Sequence, residues 1–191
     1  MMTKSQQKYT NIKYKLSKDT KLLFVGINPS PGTYARGVPF SNNKSFWYLL
    51  HEAGILPETR EELKDDTKLK NLFLKKFTCT YQLGLMNVVE RPTKTVAELK
   101  KKEAIPGAAR IRAAINKYQP NVVCFVGKSA YQFFAQIPHI DYGWQNPIGS
   151  SRVYVMHFPL HGPSQERIKD LRKVARAAGI LKTMPSSFND Q

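Results

Sequence analysis

Between Lys21 and Phe40 the chain reads KLLFVGINPSPGTYARGVPF, and no other stretch limits the fold as much. The residues from Leu22 to Val25 are all apolar, without alternation. A strand of this kind is buried on both faces, as in a parallel sheet covered by helices. Pro29 and Pro31 lack the N–H that a ladder requires, so the strand ends near Asn28. The chain then leaves the carboxyl end of a parallel-type strand as a stiff loop, which is where α/β proteins build their sites. Asn28 is the polar side chain at the loop tip and Phe40 is the aromatic further on. An amide and a flat ring presented together suit a planar heterocycle with hydrogen-bonding edges.

The 191 residues are read as a single domain (1–191) with a core over about 20–180. A mobile basic arm is expected at the N-terminus (MMTKSQQKYTNIKYK) and a short tail at the C-terminus (TMPSSFNDQ). Lys and Arg number 30 against 14 Asp and Glu, a formal net charge of +16. Such an excess points to an anionic partner, with nucleic acid first. No apolar run reaches membrane-spanning length and no secretory signal pattern is present, so no membrane partner is expected. Cys79 and Cys124 stand far apart in apolar-flanked segments and make neither a disulfide framework nor an iron–sulfur cluster. Both are expected as buried small hydrophobes in a reducing, intracellular compartment: cytoplasm or nucleoid in a prokaryote, nucleus in a eukaryote.

Four segments read as inner strands: Lys21–Ile27, about Cys79–Met86, Asn121–Val126 and Arg152–His157. Helical spacing lies between them. Phe46, Leu49, Leu50 and Ala53 share a face closed by Gly54, and Ile111, Ile115 and Tyr118 share another before Pro120. Ser129 and Ser164 are positioned to cap two further helices, the last carrying Ile168, Leu171, Val174, Ala175 and Ala178 up to Gly179. Residues 58–76 read as a charged helical insertion with a solvated face. Strands alternating with helices define an α/β fold: three layers, α/β/α, around a central four-stranded parallel sheet. The unusual loops GINPSPG, GLMNVVERP, GKS and HFPLHGPS each follow one strand. In a parallel sheet their starting points lie along one edge, so the loops can converge on one crevice.

The chemistry open to that crevice is narrow. Glu90 is the one acid in the four loops, and a local ion pair or helix-capping role competes with catalysis there. No Ser-His-Asp pattern, CxxC, HExxH or complete phosphate-binding glycine loop is present. Asn28 and Asn87 are the polar side chains placed to read a ligand. A neutral amide can orient a water but cannot take its proton as a general base. The substrate must therefore depart readily by itself, as a base with a stable anion does from an N-glycosidic bond. Asn28 as a turn residue and Phe40 as ordinary core are the competing local readings.

GINPSPGTYARGVPF with downstream FW, GLMNVVERPT, KYQPNVVCFVGKSAYQ and VYVMHFPLHGPS, in this order, resemble the mismatch-specific uracil and thymine DNA glycosylases, a branch of the uracil-DNA glycosylase superfamily. The similarity runs from about Lys21 to Gly179. It implies a parallel sheet between helices with DNA across its carboxyl edge. It also implies that Asn28 positions the attacking water and that Phe40 stacks on a flipped base. Backbone groups near Gly26, Ile27 and Phe40 lie against the base edge, and Asn87 contacts the base. Position 28 is asparagine, not the aspartate of the most active uracil glycosylases, and the cysteines of the iron–sulfur branches are absent; both departures favour the mismatch branch. An aspartate at position 28 is expected to keep or raise activity.

The fourth loop departs from the family pattern. Relatives carry segments such as N-P-S-G-L-S-R or M-P-S-S-S-A-R, against His157 to Ser164 here. Leu160 or His161 is the expected wedge, and Gly162, Ser164 and Lys128 complete the expected DNA-contacting set. His157 is open between a catalytic role at the departing base and a hydrogen-bonded strand-end histidine. The Asn43–Phe46 stretch also departs, by one residue, from the usual spacing. The implied activity is that of a monofunctional DNA glycosylase excising uracil, foremost from U·G mismatches, with thymine or other damaged pyrimidines as further substrates. Double-stranded DNA carrying uracil or a mismatched base is the expected partner, single-stranded DNA a further one, and the protein a monomer. No metal or cofactor is implied. A non-catalytic reader of flipped bases and a nucleoside hydrolase are the rival readings.

Overall fold

The computed structural model describes residues 15–160 and 162–182. The expected N-terminal arm up to residue 14, the tail beyond residue 182 and His161 lie outside the described residues.

Strand β1 (Leu22–Gly26) is wholly buried, as its unbroken apolar run requires. It pairs in parallel with β2 (Leu83–Asn87) on one side and β3 (Val122–Val126) on the other. Beyond β3 lies β5 (Ser151–Met156), also parallel. The sheet then gains a strand that the sequence reading lacks. β4 (Gly143–Ile148) pairs antiparallel with β5, giving five strands in the order β2-β1-β3-β5-β4 rather than four. The segment GWQNPI has no apolar alternation and contains Pro147, which is tolerated because the strand is an edge and its register breaks between Gln145 and Ile148. The second strand begins later than expected, at Leu83, after a turn through Tyr81 and Gln82.

Alternate side chains of the inner strands feed two cores. Leu22, Phe24, Cys124, Tyr154 and Met156 face α2 (Ser45–Glu52), α4 (Asp66–Lys75) and α7 (Ser164–Ala177). Leu23, Val25, Val123, Phe125 and Val153 face α5 (Lys101–Tyr118) and α6 (Lys128–Ala135). This is the expected helix–sheet–helix layering. The insertion is more than a solvated face. It forms α3 (Arg60–Lys64) and α4, and Leu63, Leu69, Leu72 and Phe73 enter the first core. The loop after β1 holds a short helix, α1 (Pro31–Arg36), with Ser30 as its cap and Pro31 at its first position, where a missing N–H costs nothing. The capping expectations fail at Ser129 and Ser164. Gly127 and Pro163 occupy the cap positions, and both serines are exposed within the first turns. Cys124 is buried as expected, but Cys79 is exposed, and both are free. No helix among the described residues is long and apolar enough to cross a membrane.

Helix α5 approaches the end of β2 closely because Gly107 has no side chain. A Cβ there would stand 2.0 Å from the carbonyl oxygen of Val88. The same carbonyl accepts from Arg110 Nη2 at 3.1 Å, so helix and strand end are locked together beside Asn87. Gly107→Ala gains helix propensity of ~1 kcal/mol but forces the helix off the strand. Overpacking of this kind costs ~1–3 kcal/mol and the backbone contact puts it at the upper end. A clear fall in the urea midpoint is expected; an unchanged or raised midpoint refutes the close-approach argument.

Candidate active site

The ladder between β1 and β2 continues past the strand ends. Val88 N–H donates to Gly26 O at 2.9 Å, Val89 N–H to Ile27 O at 2.8 Å, and Thr93 N–H to Pro29 O at 3.2 Å. Two loops are thereby stitched side by side along the carboxyl edge, and the register pairs Gly26 with Asn87.

Over this floor lies a cleft of about 600 Å³, within the usual ligand-site range of ~300–1,000 Å³. Gly26, Ile27, Asn28, Phe40, Asn87, Lys128 and Leu160, all singled out by sequence, line it together. Asn87 is only 4% exposed, and its side-chain amide has no hydrogen-bond partner among the described residues. It lies over Gly26. A Cβ on that glycine would be 2.4 Å from Asn87 Oδ1 and 3.4 Å from Phe40 Cζ. The amide and the flat ring thus meet above a bare backbone position.

Phe40 is held in this place against its own preference. Its φ of 54° lies in the left-handed region, which costs a non-glycine residue ~1–2 kcal/mol. Burial and one specific bond hold it there. The buried Trp47 indole donates to Pro39 O at 2.8 Å, and the Phe40 ring packs on Phe46 with centroids 4.5 Å apart. Asn28 is equally constrained. Its Nδ2 donates to Thr93 Oγ1 at 2.8 Å and to the carbonyls of Pro29 and Arg91, each at 3.2 Å. Asn28 is therefore a turn residue bonded to its surroundings and a lining residue at once.

No acid lines the cleft among the described residues. Glu90 is exposed and pairs with Arg110 at 3.1 Å, and Arg91 pairs instead with Glu103 at 2.9 Å. The Arg91 guanidinium and the Lys100 backbone N–H hold the Glu103 carboxyl down to about 2, so this tie between loop and α5 stays charged at neutral pH. Lys128 stands at the rim, its Nζ 4.5 Å from the centroid of Tyr142.

Of the other expected residues that are described, His157, Gly162 and Ser164 fall outside the lining. His157 follows β5 and is anchored to the buried Asp170, with Nδ1 2.7 Å from Oδ2 and its backbone N–H donating to the same oxygen at 2.8 Å. The second Asp170 oxygen accepts from Tyr154 at 2.6 Å. The imidazole stacks on Tyr142, centroids 3.7 Å apart, and it is Tyr142 that lines the cleft. These bonds engage Nδ1 and the backbone N–H, as in a hydrogen-bonded strand-end histidine, and Nε2 has no described partner. Leu160 is 47% exposed at the rim, while Gly162 and Ser164 are exposed beyond it. Sequence reasoning assigned nothing to Thr93, Tyr142 or Val96, which also line the cleft. Thr93 sits in the quoted NVVERPT segment, which was the available signal. Tyr142 had none, since it precedes the unpredicted β4. No group of three metal-ligating side chains occurs among the described residues.

Fold and cleft together define an α/β protein whose cleft, at the carboxyl edge of its sheet, sets a buried amide and an aromatic ring over a bare glycine. The profile of the uracil DNA glycosylase superfamily matches residues 14–182, which span every strand and helix and every lining residue, and the chain belongs to that superfamily. Membership makes it a DNA glycosylase by class, a hydrolase whose partner is DNA.

Gly26→Ala tests the floor. The added methyl displaces the Asn87 amide, the movable partner, so the fold should survive. Excision should fall at least ~10-fold, the scale of losing one positioned hydrogen-bonding group, with the thermal midpoint close to parental. Parental activity in this variant rules out a ligand resting on Gly26 and Asn87.

Proposed function

We propose that the chain is a monofunctional glycosylase that excises uracil from DNA, foremost from U·G mismatches, with thymine or other damaged pyrimidines as further substrates. The observation that carries this reading is the acid-free lining: it includes the amides of Asn28 and Asn87 and the Phe40 ring, with no carboxylate among the described lining residues. Such a site can orient a water and bind a base edge, but it cannot deprotonate strongly. It suits a base that leaves as a stable anion.

In this mechanism the target nucleotide leaves the stack, since a base inside a duplex cannot be reached. Phe40 stacks on the base and Asn87 bonds its edge. The backbone at Gly26 and Ile27 lies beneath. As the N-glycosidic bond lengthens, positive charge grows on the sugar, and Asn28 Oδ1 holds the water that attacks C1′. Lys128 draws the phosphates to the rim, and Leu160 fills the gap left in the duplex. No lysine nucleophile is assigned, so no Schiff base forms and the strand stays uncut.

The deciding experiment incubates labelled duplexes carrying U·G, U·A or T·G, and single-stranded uracil, and reveals abasic products with alkali. Excision from U·G above U·A supports the mismatch reading; equal rates confine the claim to uracil. DNA binding with no base release on any substrate turns the protein into a reader of flipped bases. Asn28→Ala should lower single-turnover excision at least ~10²-fold while duplex binding stays near parental. An alanine variant at the parental rate removes Asn28 from the chemistry.

Leu160→Gly separates flipping from bond breaking. Opening a duplex costs a few kcal/mol that a single strand does not require. The variant should lose activity on duplex uracil and keep it on single-stranded uracil. Equal losses on the two substrates take the wedge role away.

A further inference from the structure

We infer that Thr93, with the carbonyls of Pro29 and Arg91, forms a socket that admits only an amide at position 28 and so fixes which side of Asn28 meets the cleft. This deepens the water-holding role given to Asn28 above and rests on it.

Nδ2 has two protons and faces three acceptors, the nearest being Thr93 Oγ1 at 2.8 Å. Backbone carbonyls accept and never donate. The two carbonyls therefore require an NH₂ group on this side of residue 28. Thr93 is set to do the same. Its own proton is given to Thr95 O at 2.7 Å, so the oxygen meets Asn28 as an acceptor. The residue is 5% exposed, and its N–H donates to Pro29 O at 3.2 Å. Its orientation is thus fixed by the protein alone. Turning the amide over would set Oδ1 against three acceptors, so Oδ1 is kept on the opposite side, as an acceptor without a described partner.

The same geometry works against a carboxylate. Aspartate has the shape of asparagine, but one anionic oxygen would stand against two carbonyl oxygens about where Nδ2 now stands, 3.2 Å from each. Thr93 could answer it only by withdrawing its proton from Thr95 O. An aspartate must leave the socket or take up a proton; the first change loses the orientation that the socket imposes, the second the charge. This reverses the expectation, drawn from the sequence alone, that Asn28→Asp keeps or raises activity. Thr93 is a positioning residue: it touches no reacting atom and acts through Asn28.

The test measures single-turnover excision, duplex affinity and thermal melting for T93V, T93S, N28D and N28A in the full chain, on the uracil substrate that the parent excises fastest. T93V keeps the shape and removes the acceptor. It should be ~10-fold slower, the scale of one hydrogen bond, with affinity unchanged. T93S restores the hydroxyl and should restore the rate. N28D at neutral pH should be slower than the parent. T93V and T93S slowed alike, or T93V at the parental rate while N28A is inactive, reduces Thr93 to a loop brace and leaves the Asn28 reading standing. N28D at or above the parental rate overturns the amide-only socket. N28A at the parental rate overturns the Asn28 reading itself. Should T93V not fold, N28D, which leaves Thr93 in place, still decides.

Discussion

The site depends on a ladder that outruns its strands. β1 and β2 stop at Gly26 and Asn87, yet their pairing continues through Val88 to Gly26, Val89 to Ile27 and Thr93 to Pro29. Loops usually run free at a sheet edge. Here two of them are bonded together, and the side chains facing the cleft inherit the rigidity of the sheet. Asn87 is the last residue of a buried strand, and Asn28 is two residues beyond another. Gly107 and Arg110 on α5 hold the far side of the same joint. In the proposed mechanism this is preorganisation: Asn28 and Asn87 are held before any ligand arrives.

Much of this was legible in the sequence because the decisive signals are local. Buried parallel strands read as apolar runs, and prolines mark where such runs must end. The four parallel strands, the three layers and the convergence of the loops that carry Asn28 and Asn87 follow from those signals, whereas Lys128 and Leu160 entered through the family resemblance. What escaped depends on partners far along the chain. β4 is an exposed edge strand whose stability comes from β5, so its own residues carry no pattern; the two-residue turn Gly149-Ser150 was its one local mark. Thr93 matters because of a residue 65 positions away. Proline also proved ambiguous. Pro31 ends the strand but opens α1, since the same missing N–H suits both.

His157 is tied into the sheet edge through one side of its ring. It sits at the carboxyl end of β5, where a catalytic group is expected, and its sequence context allowed that role. The structure gives its Nδ1 and backbone N–H to Asp170 and its ring face to Tyr142. A carboxylate that takes three bonds, from Tyr154 and twice from His157, is well satisfied in a buried site. The histidine then acts as a support for an aromatic that does face the cleft. The edge of the sheet thus carries two aromatics with rigid backing, Phe40 on Phe46 and Tyr142 on His157.

The distribution of charge completes the argument. The chain carries +16, but its acids are not simply diluted. Glu90 is engaged by Arg110, Glu103 by Arg91 and Asp170 by His157 and Tyr154, while the exposed Asp141 stands 3.8 Å from Lys128 at the rim. The lining itself keeps Lys94 and Lys128. Lysines at a cleft whose described lining has no carboxylate favour negative charge there. Under the proposed chemistry two charges develop, positive on the sugar and negative on the departing base. A carboxylate would stabilise the first and oppose the second. An amide socket and flanking lysines do the reverse, so the rate is governed by how well the base bears negative charge. Substrate choice then follows from the leaving base's own acidity as much as from its shape.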